Sequence, residues 1–162
     1  MPIIQLGNTT AKITSQHDLF YDYLIQTFGN DFAKSYLEAN ETAIRNMKEI
    51  IDTEKIDCDF EWQDNFVYTD SEDEVIKIKN EVTSVNSLGF PAEFVTDFSL
   101  PFPILGGIKF PNQAQFHPLK YCKGLSDCII KNNGQIYEDT KVYDVNKKDS
   151  YYEVQTNEHT VH

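Results

Sequence analysis

The chain has 162 residues, of which 40% are apolar, with 11 Phe, 9 Tyr and a formal net charge of −12. That length suits one domain with a packed core, and the composition is that of a globular chain, not a disordered one. The acidic balance, with Arg45 the only arginine, argues against a nucleic acid or an anionic membrane as partner, because phosphates are bound by clustered Lys and Arg.

Residues 1 to 12 read as the frayed or cut end of something larger, with a turn at Gly7-Asn8. A first helix is expected from Ser15 to Phe28 and stops at Gly29. The spacing of Phe32, Tyr36, Ala39, Ala43, Met47, Ile50 and Ile51 predicts a second helix, capped at Asn30 or Asp31. Its other face carries Lys34, Glu38, Glu41, Arg45 and Lys48, with an i,i+4 pair at Glu41 and Arg45. Between Cys58 and Thr69 the period changes to that of strands, and Asp64-Asn65 predicts a hairpin turning at 63 to 65. Ser71 to Glu74 has the form of a capping box. The helix behind it runs through Val75, Ile78, Val82, Val85 and Leu88 to a stop at Gly89. Glu93 to Val95 is a short strand. Ile104 to Phe110 is another, and its Gly106-Gly107 pair permits a bulge or a close approach.

From Phe110 the sequence turns polar, through Asn112, Gln113, Gln115 and His117, which predicts a loop. A helix with marked ends follows. Pro118 suits its first position. Leu119, Cys122, Leu125, Cys128 and Ile129 give it an apolar face, and Gly134 is expected in the left-handed conformation after its end. Strands are expected at 135–138, 141–145 and 151–156, and another begins at Thr160-Val161. The order of elements predicts an α+β fold with an antiparallel or mixed sheet and helices on one side.

No stretch of 18 apolar residues exists, and the first residues lack the basic flank of a signal peptide. Cys58, Cys122 and Cys128 have no CxxC spacing and read as reduced thiols in a cytoplasmic protein. No metal site is expected. None of the seven glycines forms a Gly-x-Gly-x-x-Gly motif, and no catalytic constellation stands out, so the catalytic residues are unknown at this level.

Two stretches carry a resemblance. Phe110-Pro-Asn-Gln-Ala-Gln-Phe-His-Pro-Leu-Lys, followed by Gly134-Gln-Ile-Tyr-Glu-Asp-Thr-Lys-Val, resembles the glycine/D-amino-acid oxidase superfamily of FAD-dependent oxidoreductases. The likeness is to bacterial members that in some cases carry a C-terminal Rieske iron–sulfur domain. Thr9-Thr10-Ala11-Lys12-Ile13-Thr14-Ser15-Gln16-His17 resembles a second family segment.

The resemblance covers only the middle of such a protein. It implies that residues 1–14 are a remnant of the FAD-binding segment, 15–133 a substrate (cap) domain and 134–162 a remnant of FAD-domain strands. It implies FAD as the parent's cofactor. Thr9, Thr10, Ala11 and Lys12 then lie along the flavin, and the backbone of Val142 meets the adenine. The sheet would roof the flavin, making His17, Phe66, Tyr68, Phe110, Gln113 and His117 candidates for the substrate pocket.

The isolated chain lacks the pyrophosphate site and is expected to be inactive. Its partners would be the missing FAD-binding domain and a small-molecule substrate, with self-association through the uncovered face. Such oxidases commonly grip a substrate carboxylate with an arginine. Arg45 sits mid-helix, so either the grip lies elsewhere in the parent or the substrate is not an amino acid. The alternative reading is a stand-alone acidic binding module without catalysis.

Overall fold

A computed structural model describes residues 9–97, 99–157 and 159–161; the Gly7-Asn8 turn lies outside them. In chain order its elements are β1 (Lys12–Ile13), α1 (Tyr21–Phe28), α2 (Asn30–Glu54), β2 (Glu61–Thr69), α3 (Glu72–Ser87), β3 (Glu93–Val95), β4 (Gly106–Gln115), α4 (Pro118–Lys131), β5 (Val142–Lys147), β6 (Tyr152–Thr156) and β7 (Thr160–Val161). The fold is α+β, and every strand pairing is antiparallel. Strand β4 organises the first sheet: β1 and β2 flank it, and β3 pairs with it as well. The second sheet has the order β5-β6-β7.

One face of the first sheet is covered by helices. Ile108 and Phe110 meet Tyr21, Leu24, Ala33, Leu37, Ile78, Val85 and Leu88 there, all buried. A smaller cluster joins the end of α2 to α4 through Ile51, Ile56 and Cys58, with Phe116, Tyr121 and Leu125 packed against them. Burial pushes the Cys58 thiol above its ordinary range, so it is inert packing material.

The period of α3 predicts its buried side well, and Gly89 ends it with φ 90°. Helix α1 starts later than expected, at Tyr21. The N–H groups of Ser15 and Gln16 are spent on Gln113 Oε1 and Thr14 Oγ1, and Asp18 takes φ 61°, so the backbone at 15–20 is not helical. In α2 the buried stripe is Ala33, Leu37, Ile44 and Ile51, one position round from the expected one. Phe32 and Ile50 are left exposed. Gly29 separates α1 from α2 with φ 85° and ψ 168°, a region open only to glycine. No side chain caps α2, so Asn30 and Asp31 do not serve as predicted.

The expected hairpin at 63–65 is overturned. β2 is one continuous strand paired with β4, with an irregularity between Gln63 and Asn65. Across it, Asn65 pairs with Phe110 and Gln63 with Gln113, so β4 has one more residue than β2 in this interval. That is a β-bulge, and Asn112 takes φ 57° within it. The Gly106-Gly107 pair holds no bulge; Gly106 instead admits the Phe94 ring, 2.9 Å from where a Cβ would stand. The polar stretch 111–115 is strand, not loop. The capping box at Ser71 does not form: its side chain makes no cap bond, and Glu74 pairs with Lys77.

Helix α4 begins at Pro118, and the His117 ring accepts the Lys120 N–H at 3.4 Å. Its end differs from expectation in detail. Asn133, not Gly134, takes the left-handed conformation, with φ 61°. Asn133 N–H donates to Ile130 O at 3.0 Å and Gly134 N–H to Ile129 O at 2.8 Å, the two bonds of a Schellman motif. Gly134 is needed for room: a Cβ there would stand 2.9 Å from Ile129 O and 2.5 Å from Ile129 Cγ2. Gly134→Ala is therefore expected to cost about 1–3 kcal/mol, whereas Asn133→Gly should change stability by less than about 0.5 kcal/mol; thermal unfolding of both variants checks this. Residues 135–138 form no strand.

Candidate functional site

Two segments about a hundred residues apart in sequence lie side by side. The strip that begins at Thr9 reaches β1, where Lys12 pairs with Gln115 and Ile13 with Ala114. Ala11 sits at φ 57°, a conformation that costs an L-residue backbone energy. Its N–H donates to Thr9 Oγ1 at 3.1 Å, and its carbonyl accepts from the Phe116 N–H at 3.1 Å. A cleft of about 300 Å³ opens here between Ala11, Asp59, Glu61, Gln115, Phe116 and His117. Thr9, Thr10 and Lys12 are exposed, and β1 is an edge strand among the described residues.

Beyond β1 the strip is tied into the interior. Ser15 N–H donates to Gln113 Oε1 at 2.7 Å, and Ser15 Oγ lies 3.3 Å from the same oxygen. Gln113 Nε2 donates to Glu41 Oε1 at 3.0 Å and to Pro111 O at 3.1 Å. Tyr21 donates its hydroxyl proton to Ser15 O at 2.6 Å, and burial above all holds its phenol far above the ordinary range, so it remains a donor. Asn65 Nδ2 donates to Gln16 Oε1 at 2.6 Å. Gln16 Nε2 is buried with no hydrogen-bond partner among the described residues.

The face of the first sheet away from the helices carries Phe66 opposite Lys109 and Tyr68 opposite Gly107. Tyr68 is exposed and lies 5.7 Å, ring to ring, from Phe102. Lys109 Nζ stands 3.1 Å from Asp64 and 3.9 Å from Glu93; the bond to Asp64 is the first cause of its raised pKa.

The sequence-derived candidates therefore separate. Phe66 and Tyr68 lie on the open sheet face. Phe110 does not: its ring is fully buried between Tyr21 and Phe90, at 6.1 and 5.0 Å. Gln113 is 1% exposed with both amide atoms engaged, so neither residue offers a surface to a substrate. His17 is exposed, its Nε2 3.3 Å from Asn40 Oδ1, and its ring meets Tyr36 edge-on. His117 is exposed at the start of α4, its backbone N–H bonded to Cys58 O. Val142 opens β5 with an exposed side chain and pairs with Thr156.

The residues that sequence reasoning missed are Ser15, Tyr21 and Glu41. The available signal was polar Asn65 and Gln113 inside strands, since buried amides demand partners. Arg45 is expected on the side of α2 opposite its apolar stripe, and it is exposed. It lines a cleft of about 470 Å³ with Glu41, Ile44, Trp62 and Asn112, and stands 3.9 Å from Glu41.

Among the described residues, no group of three or more His, Cys, Asp or Glu is placed to hold a metal ion. None of their helices is long and apolar enough to cross a membrane. The exposed hydroxyls of Thr9 and Thr10 and the Lys12 ammonium match the acceptor-rich edge of a flavin ring. No Gly-x-Gly-x-x-Gly turn is present for the pyrophosphate of such a cofactor.

Comparisons with known proteins bear on the fold and the family. The family model described as FAD dependent oxidoreductase matches residues 5–162. A Bacillus subtilis (strain 168) protein named as a Rieske 2Fe-2S iron–sulfur protein, YhfW, is 41% identical over 141 residues, 87% of this chain. The chain spans 28% of that protein's length. Among solved structures, glycine oxidase from Geobacillus kaustophilus superposes with a TM-score of 0.62 at 17% identity, over 88% of this chain and 40% of that one. Glycine oxidase from Bacillus cereus ATCC 14579 gives 0.61 at 16%, over 96% and 42%. L-proline dehydrogenase from P. horikoshii gives 0.54 at 16%, over 76% and 36%. The structural likenesses establish the fold; with the family match and the B. subtilis relative, the chain belongs to the FAD-dependent oxidoreductase family of the glycine/D-amino-acid oxidase type.

Proposed function

We propose that this chain supplies the substrate domain of a larger FAD-dependent oxidoreductase and shapes the pocket over the flavin. The observation that carries the reading is the Thr9–Ile13 strip, which joins the edge of the first sheet through Lys12–Gln115 and Ile13–Ala114, with Phe66 and Tyr68 on the face of that sheet turned away from the buried helical core. In this reading residues 15–133 are the substrate domain, and 1–14 and 134–162 belong with the FAD-binding part.

Thr9, Thr10 and Lys12 would hold the flavin edge, the Lys12 ammonium favouring the negative charge of its reduced form. Phe66 and Tyr68 would line the substrate pocket, with His17 and His117 at its margins. FAD, when bound, supplies the acceptor for a hydride from the substrate; the residues of this chain orient the substrate and exclude water. The backbone of Val142 would meet the adenine. The FAD-binding domain is then the chain's principal partner, a small molecule its substrate, and the cytoplasm its location, in keeping with three free cysteines.

The exposed Val142, Tyr143, Val145 and Tyr152 of the second sheet mark the surface that this domain would cover, and a route to self-association without it. A second reading, a stand-alone acidic binding module, is favoured by exposed Tyr23, Phe28 and Phe32, whose rings adjoin, Tyr23 edge-on to Phe28 and Phe28 tilted against Phe32.

The reading is tested at the source locus and with the purified chain. A strand–Gly-x-Gly-x-x-Gly–helix coding segment in frame directly upstream is expected. Unrelated genes on both sides would overturn the proposal. The purified chain incubated with FAD should show neither retained flavin absorbance nor turnover, and turnover would contradict the domain assignment.

A further inference from the structure

The Thr9–Ile13 strip poses a mechanical problem. β1 offers only two residue pairs to β4, too few to hold a segment in place. Ala11 adds backbone strain at φ 57°, and strain of that kind persists only where the surroundings over-determine it. Something beyond the strand pairing must fix the strip.

We propose that Gln113 is the positioning residue that fixes it, a role that rests on the substrate-domain reading above and replaces a contact with substrate. Its amide works in two directions at once. Oε1 accepts from Ser15 N–H and Ser15 Oγ, and Nε2 donates to Glu41 Oε1 and Pro111 O. An amide has two lone-pair sites and two protons, and all four are used. A carboxylate at this position would face Glu41 charge to charge. An apolar side chain would leave the buried Ser15 N–H orphaned. Only a neutral group with an acceptor and a donor links the strip to α2.

Tyr21 completes the latch from α1, donating to Ser15 O at 2.6 Å. On the far side of β1, the Phe116 N–H bonded to Ala11 O reports whether the strip still lies on β4. Gln113 therefore sets where Thr9, Thr10 and Lys12 stand relative to the open sheet face without touching what lies there.

The test is residue-resolved hydrogen exchange on the full chain without flavin, comparing the wild type with Gln113→Met. Exchange at the Ser15 and Phe116 amides should rise by about tenfold or more, while Val67, Ile78 and Val85 stay within about twofold. Equal acceleration at all five sites would make Gln113 an ordinary core residue and overturn the proposal. Unchanged exchange at Ser15 and Phe116 would overturn it as well. Should the Met variant fail to fold, Gln113→Asn, which keeps the amide and withdraws it by one methylene, must give the same local pattern or the proposal falls. Because flavin is absent throughout, a failure here leaves the FAD-domain reading to the source-locus result.

Discussion

Glu81→Ala should destabilise the chain by about 4 kcal/mol or more, enough to unfold much of it at ambient temperature. Glu81 is a fully buried carboxylate on α3. Its Oε1 accepts from the N–H groups of Phe20 at 2.9 Å and Tyr21 at 2.7 Å, and its Oε2 from Asp22 N–H at 2.8 Å. These are the orphan donors at the start of α1, and a carboxylate there also meets the positive end of the helix dipole. Alanine would leave three N–H groups without an acceptor, that of Tyr21 buried and those of Phe20 and Asp22 partly so, at about 1–3 kcal/mol for each that is buried. Glu81→Gln keeps one acceptor oxygen and should fall between the two.

Burial pushes the Glu81 carboxyl above its ordinary value, and the three N–H bonds pull it part of the way back. A raised folded value means that the folded chain holds the proton more tightly. The stability this group contributes is full below the ordinary carboxylate range and is lost as pH rises through the folded value. The Glu81→Gln penalty should therefore be larger near about pH 4 than near about pH 7. Urea unfolding at both values measures it; an alanine variant within about 1 kcal/mol of wild type would refute the capping role.

Phe110→Ala should cost about 3–5 kcal/mol, because its ring is fully enclosed between Tyr21 and Phe90. Tyr68→Ala, on the open face of the same sheet and 46% exposed, should cost less than about 1 kcal/mol. Denaturant midpoints of the two variants separate core from surface among the aromatic candidates. Comparable losses would contradict the assignment of faces.

Where local pattern decides the structure, the sequence was readable. The apolar spacing from Val75 to Leu88, the Pro118 start and the short strand at Glu93–Val95 are all local signals. Asp64-Asn65 misleads because asparagine, a turn former, also serves as a buried hydrogen-bond donor, and Asn65 spends its amide on Gln16, 49 residues away. Ser71 misled for the opposite reason: a backbone bond from Glu74 N–H to Ser71 O at 3.2 Å takes the place of the side-chain cap. The Thr9–Lys12 and Phe110–Lys120 segments were legible as candidates through resemblance. That Gln113 is buried and bonded to Ser15 and Glu41 was not, because these partners lie 98 and 72 residues away.

The bulge at Asn112 governs how this strand can vary between relatives. Phe110 and Gln113 are three residues apart, an odd spacing that would put them on opposite faces of a regular strand. The extra residue lets both reach the helices. Loss of one residue between them would restore an even spacing of two and keep both inward without the bulge, whereas loss of two would turn Gln113 outward. Relatives should therefore separate the two positions by three residues, with Asn or Gly at the left-handed position of the bulge, or by two in a regular strand.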